Sequence, residues 1–163
     1  MLTISKRNTL FLLGALMLSP AYFPGVAAAS TQAQVAPIGE LFERWNRLLV
    51  EADIEGLVGL YAADAVLLPT ASNQPRVGVD GIKAYFQGFL ADKPASEINH
   101  REVRFPSENI ALDMGTYTFT FNPADGSERK VKARYTFVYQ RAGEGWKILN
   151  HHSSAMPEAV HGT

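Results

Sequence analysis

Thr116-Tyr117-Thr118-Phe119-Thr120-Phe121 sets small hydroxyl residues against aromatic rings with a period of two. Side chains alternate across a β-strand, so this stretch puts its rings on one face and its hydroxyls on the other. The same alternation returns downstream, where Val131, Ala133, Tyr135, Phe137 and Tyr139 interleave with Lys132, Arg134, Thr136 and Val138. Pro123-Ala124-Asp125-Gly126-Ser127 reads as the hairpin turn between the two strands, and Ala142-Gly143-Glu144-Gly145 as a second turn before a last strand from Trp146 to Ser153. Glu97 to Arg104 alternates more loosely as an earlier strand. The carboxy-terminal half is therefore a meander of antiparallel strands.

The residues before it read differently. Ile38, Leu41, Phe42, Trp45, Leu48 and Leu49 recur at helical spacing, and Pro37 suits a first helical position, where a missing N–H costs nothing. Asp53 is placed to cap a second helix with a core face of Leu57, Val58, Leu60 and Tyr61. Ala65-Val66-Leu67-Leu68 reads as a short buried strand stopped by Pro69. Asp80 is expected to cap a third helix whose buried stripe is Ile82, Tyr85, Phe86, Phe89 and Leu90, with Lys93-Pro94 as its end. Helices first and a strand meander after predict an α+β fold, with three helices packed on one face of a strongly curved antiparallel sheet. Such a bent sheet makes a cone, and the mouth of a cone is a natural pocket.

Lys6 and Arg7 precede an apolar run from Leu10 to Leu18, then Pro20 and Pro24-Gly25, then the small residues Val26-Ala27-Ala28-Ala29-Ser30. That is the three-part pattern of an export signal. The run is too short to span a bilayer, which needs about 20 residues. Residues 1–29 are therefore expected to be a cleaved signal peptide, 30–36 a flexible linker, 37–158 the folded domain and 159–163 a tail, in a periplasmic or secreted protein with no membrane association once the signal is removed. With 15 Lys and Arg against 16 Asp and Glu, the net charge of −1 gives no basic surface for nucleic acid. The absence of cysteine excludes disulfides, thiolate metal sites and thiol nucleophiles. No spacing of His, Asp and Glu resembles a metal triad, so neither a metal nor another cofactor is expected.

Several stretches taken together resemble a known group. Leu60-Tyr61-Ala62-Ala63-Asp64-Ala65-Val66-Leu67-Leu68-Pro69 is similar to the passage from helix to strand in the nuclear transport factor two-like superfamily. Ala133-Arg134-Tyr135-Thr136-Phe137-Val138-Tyr139 and Gly145-Trp146-Lys147-Ile148-Leu149-Asn150-His151-His152-Ser153-Ser154-Ala155-Met156-Pro157-Glu158 resemble the bacterial, SnoaL-like group related to the calcium/calmodulin-dependent protein kinase II association domain. The resemblance implies a cone, self-association through the sheet and a pocket between helices and sheet. It does not imply phosphorylation: the kinase motifs for phosphate and magnesium are missing from this sequence.

Arg134 lies mid-strand with the parity of Thr136 and Val138. The resemblance matches it to an arginine that lines the pocket of the kinase association domains, where it would grip a carboxylate with a bidentate fork. Parity alone leaves the outer sheet face equally open to it. The resemblance places Tyr117 and Ser153 where that family carries further arginines, which implies a less basic, more aromatic pocket. His151 and His152 are adjacent and must point to opposite faces, so one of them is expected to enter the pocket. Tyr61 and Tyr85 are further hydroxyl donors for it, alternatively core residues with a polar tip. His100, flanked by Glu97, Arg101 and Glu102, reads as a solvated strand face. Ketosteroid isomerase relatives carry a catalytic aspartate before the equivalent of Pro69, and here Leu68 stands there.

Three readings follow. The first is an exported homodimer or larger homo-oligomer that binds a small organic ligand, such as a carboxylate, through Arg134, Tyr117, His151, His152, Ser153, Tyr85 and Tyr61, with no kinase activity of its own. The second is a cofactor-independent lyase, isomerase or cyclase of the polyketide-cyclase-like type, using a pocket His or Asp; no catalytic residue for it is identifiable from the sequence. The third is a purely structural oligomerisation module.

Overall fold

The computed structural model describes residues 32–70 and 72–157, with side chains from residue 37 onward. The expected signal peptide and the tail from residue 158 lie outside the described residues.

Helix α1 runs Gln32–Val50. Its Ile38, Phe42, Trp45 and Leu49 are almost wholly buried, at the spacing that makes one stripe. The helix begins before Pro37, so residues 32–36 are helical where the sequence suggested a linker. Pro37 is therefore the sixth residue and not the first helical position that the sequence suggested, and the helix forgoes the bond that an N–H at 37 would have made. Helix α2 is a short one, Ile54–Gly59, capped as expected: the Asp53 side chain accepts from the Gly56 N–H at 2.9 Å. Helix α3 spans Gly78–Phe89. Asp80 does not cap it; it sits inside the first turn, behind a cap position taken by Val77. There its negative charge complements the helix dipole. A 3-10 turn, Leu90–Asp92, and Lys93 in the left-handed region at φ 46° lead into the sheet.

The strands are β1 Tyr61–Leu68, β2 Arg76–Val77, β3 Pro94–Ser107, β4 Ile110–Phe121, β5 Arg129–Ala142 and β6 Gly145–Ala155. They form one sheet in the order β2-β1-β6-β5-β4-β3. The pairs from β3 to β6 are antiparallel, as the alternation requires, but β1 lies parallel to β6, which makes the sheet mixed. The expected all-antiparallel sheet is corrected on this point. Strand β1 also starts earlier than Ala65: Tyr61 pairs with Ile148 and Val66 with Asn150, so the residues between form a wide bulge. Asp64 lies in this bulge and is exposed.

The three helices supply one layer. Helix α1 packs over β3 and β4, and α3 over β1 and β2. Between helices and sheet lies a core of aromatic rings. Phe42 of α1 stacks on Tyr135 with centroids 6.1 Å apart, and Trp45 meets Phe137 edge-on at 5.5 Å. The face of β4 and β5 carrying Tyr117, Phe119, Phe121, Ala133, Tyr135, Phe137 and Tyr139 is the buried one.

Candidate functional site

Three buried polar side chains interrupt the aromatic face near the middle of the sheet: Tyr117 on β4, and His151 and Ser153 on β6. Their placement follows from parity. His151 and Ser153 are two apart on one strand and share the helix side, and the register sets His151 opposite Phe137 and Ser153 opposite Tyr135. His152, between them, is turned to the other face and exposed. The alternative left open by the sequence is thus resolved in favour of His151.

Two hydrogen-bonded groups surround a small cavity. In one, the Tyr117 hydroxyl donates to Ser153 Oγ at 2.6 Å, and Ser153 Oγ is bonded in turn to Thr70 Oγ1, from the segment just after β1. In the other, the Trp45 indole N–H donates to the Tyr61 hydroxyl at 3.2 Å, and that hydroxyl lies 3.1 Å from His151 Nδ1. The imidazole stacks on Phe137 with centroids 4.0 Å apart and meets Trp45 edge-on at 5.4 Å. Its Nε2 has no hydrogen-bond partner among the described residues. Burial disfavours the charged ring, with neighbouring His152 adding to the effect, and pushes the His151 pKa down to about 3. Burial likewise pushes Tyr61 and Tyr117 well above the ordinary tyrosine range, so both are neutral donors.

The cavity is lined by Tyr85, Phe86 and Phe89 of α3, by Trp45, Leu67 and Pro69, and by Thr70, Tyr117, His151 and Ser153. It admits about 10 Å³ of water centres, which is room for one water molecule. An open groove of about 400 Å³ shares Pro69, Thr70 and Ser153 with it and carries His152 on its wall.

The structure therefore brings together Tyr85, Tyr117, His151 and Ser153 of the sequence candidates, with Tyr61 directly behind the imidazole. It does not bring Arg134. That residue is exposed on the sheet face away from the helices, paired with Thr116 and Ser154. The expected pocket guanidinium is corrected: the bulky Tyr135 and Phe137 take the helix side, and alternation sends Arg134 to the other. The second histidine, His152, belongs to the outer groove and not to the cavity.

A separate buried polar group was not singled out by the sequence. Asp113 on β4 is fully buried; it accepts from the Tyr135 hydroxyl at 2.9 Å and lies 3.3 Å from Arg101 Nε. Arg101 in turn covers the Phe42 ring at 5.2 Å. Burial raises the Asp113 pKa, and Arg101 offsets part of that rise. Arg101 is thus an inward ion-pair partner and not part of a solvated face, whereas its neighbour His100 is exposed as expected. The parity of Asp113 with Tyr117 and Phe119 was the available signal. Asp113, Tyr135, Arg101 and Phe42 do not line the cavity. Among the described residues no group of three or more His, Asp and Glu is placed to hold a metal ion.

Comparison with known proteins adds to this geometry. The sequence pattern of the calcium/calmodulin dependent protein kinase II association domain matches residues 34–157. A solved structure from Xanthomonas campestris, assigned to that same association domain, is 44% identical, with a TM-score of 0.74 over 78% of this chain and 90% of its own. A ketosteroid isomerase-like protein from Erwinia carotovora atroseptica is 21% identical, with a TM-score of 0.65 over 77% of this chain and 98% of its own. A protein from Novosphingobium aromaticivorans assigned as a scytalone dehydratase is 15% identical, with a TM-score of 0.68 over 77% of this chain and 85% of its own. The last two share the fold, which is the nuclear transport factor two-like one. No curated protein matches the chain.

Proposed function

Since the chain belongs to the calcium/calmodulin dependent protein kinase II association-domain family, we propose that it is an exported, self-associating protein that holds a small organic molecule in the cavity between α1, α3 and the sheet, without kinase activity of its own. The observation that carries the ligand reading is the convergence of Thr70, Tyr117, His151 and Ser153 on a cavity otherwise walled by rings and aliphatic carbon. A few polar groups fixed in an apolar hollow are what orient a small ligand. The export reading rests on the leader pattern of residues 1–29.

Binding suits this cavity better than proton transfer. A general base works best with a pKa near the working pH, and burial leaves His151 far below it. No carboxylate stands among the lining residues to take its place.

The test is a thermal-shift screen of small organic molecules on the mature chain, with Ser153→Leu and Arg134→Ala beside it. A true ligand raises the melting temperature of wild type and Arg134→Ala alike, by roughly 10 °C at a concentration of about 100 times its Kd. It leaves Ser153→Leu unmoved, because the leucine fills the cavity. Equal stabilisation of Ser153→Leu would remove the cavity from the account.

A further inference from the structure

The hydrogen-bond chain behind the cavity has a fixed direction. An indole N–H can only donate, so the Tyr61 oxygen is the acceptor of the Trp45 bond at 3.2 Å. The phenolic proton of Tyr61 must then be placed in turn. His151 Nδ1, 3.1 Å away, is the acceptor within reach. Were Nδ1 protonated instead, Tyr61 would receive two N–H groups and its own buried proton would be left without an acceptor, at a cost of about 1–3 kcal/mol. With Nε2 protonated the spare donor belongs to His151, which lines a cavity with room for a water to accept from it, whereas Tyr61 does not line that cavity. Nδ1 is therefore the bare nitrogen, and the single proton of the neutral ring sits on Nε2.

That Nε2–H is buried and has no hydrogen-bond partner among the described residues. Tyr117 donates to Ser153, and Ser153 and Thr70 bond each other. The Nε2–H donor thus belongs to a cavity with no charged side chain in its lining. The candidate cation from the sequence, Arg134, is on the far face, and Arg76, across β1 from His151 in the register, is not among the lining residues. A carboxylate brought here would lose its hydration with no counter-charge, which is far costlier than burying a neutral carbonyl that keeps one hydrogen bond.

We propose that the cavity is a hydrogen-bond donor site in which His151 Nε2–H selects a neutral carbonyl oxygen (of a ketone, aldehyde, ester or amide) over a carboxylate. This rests on the reading of the cavity as a ligand site. The room for about one water molecule fits the carbonyl tip alone; the body of the ligand extends into the groove that shares Pro69, Thr70 and Ser153.

The experiment uses the mature chain with ¹⁵N-labelled histidine. Long-range proton–nitrogen correlation distinguishes a protonated from a bare ring nitrogen, and His151→Gln assigns the signals among the four histidines. The expected result is an Nε2–H tautomer that is lost or mixed in Trp45→Phe. Acetamide, acetone and acetate are then titrated as near-isosteres. Acetamide and acetone are expected to move the His151 signals at concentrations roughly tenfold or more below those needed for acetate. In His151→Phe, which keeps an aromatic ring and removes the donor, stabilisation by acetamide in a thermal shift is expected to vanish. An Nδ1–H tautomer, or acetate binding as well as acetamide, overturns the donor-site inference while leaving a ligand cavity in place. If no probe of either charge moves His151, the ligand-site reading itself falls.

Discussion

His151 shows what a buried imidazole costs and where that cost appears. In the unfolded chain it titrates near the ordinary value of about 6.5; in the fold burial holds it at about 3. The unfolded state therefore binds the extra proton first as the pH drops. The stability tied to the neutral ring is complete above about pH 6.5 and is lost progressively as the pH falls toward 3. Between pH 7 and pH 5 the loss from this one residue is about 2 kcal/mol. Asp113 acts in the opposite sense: its raised pKa favours the folded state as the pH falls through it. The His151 contribution is therefore read as a difference. Urea unfolding of wild type is expected to weaken by about 2 kcal/mol more over this interval than that of His151→Gln. Parallel pH profiles for the two proteins would mean that the ring is not buried neutral. Arg134 is the contrasting case at this scale. Parity groups it with Thr136 and Val138 from sequence alone, but its face is set by which neighbours fill the space under α1. The rings of Tyr135 and Phe137 do so, and the size of those rings was the legible clue.

Among the elements, the strands from β3 to β6 and the core stripes of α1 and α3 were readable because period and turn chemistry are local. Asp125 accepts from the backbone and hydroxyl of Ser127, and Gly126 at φ 82° closes that turn as its composition suggested. The parallel pairing of β1 with β6 was not readable. It joins residues about eighty positions apart, and nothing in either segment encodes the partner's direction. The same distance hid part of the site: Thr70 meets Ser153, and Trp45 and Tyr61 meet His151, only after that pairing forms. Close approach between strands was equally hidden. Between Ile98 and His100 the β3–β4 register shifts, and a Cβ at Gly115 would collide with the His100 carbonyl and crowd Arg101. Backbone on both sides cannot give way cheaply, so Gly115→Ala is expected to cost more than about 3 kcal/mol. Gly88, in the last turn of α3 with nothing near its would-be Cβ, is the control. Gly88→Ala is expected to stabilise by about 0.5–1 kcal/mol in the same denaturant titration. A tolerated alanine at Gly115 would mean that the two strands lie further apart.

At the scale of the whole molecule, the question is what meets the sheet face that no helix covers. One face of β4, β5 and β6 is filled by α1 and α3; the other presents Met114, Thr116, Arg134, Thr136, Val138 and His152. An antiparallel region with one solvated face is stable by itself, so the fold does not demand a partner there. The edge is a poorer route to association. Strand β3 ends the sheet and carries Glu97, His100, Glu102, Arg104 and Pro106, the charges and proline that discourage edge pairing. Face-to-face contact is therefore the geometry we propose for the self-association that the association-domain family suggests. If two copies meet by a two-fold axis on this face, each residue near the axis meets its own copy or a close neighbour of it. A lysine in place of Val138, four residues from Arg134 on the same face, would then set positive charge against positive charge. The wild-type mature chain is expected to scatter light as a dimer or larger at micromolar concentration. Val138→Lys is expected to shift toward the monomer, with a dissociation constant raised at least about tenfold, or 1.4 kcal/mol, and an unchanged circular-dichroism spectrum. Because Val138 faces away from the helices and does not line the cavity, the response of His151 to acetamide should survive in the monomer. Unchanged mass for Val138→Lys would move the interface off this face, and a monomeric wild type would remove self-association from the proposed function.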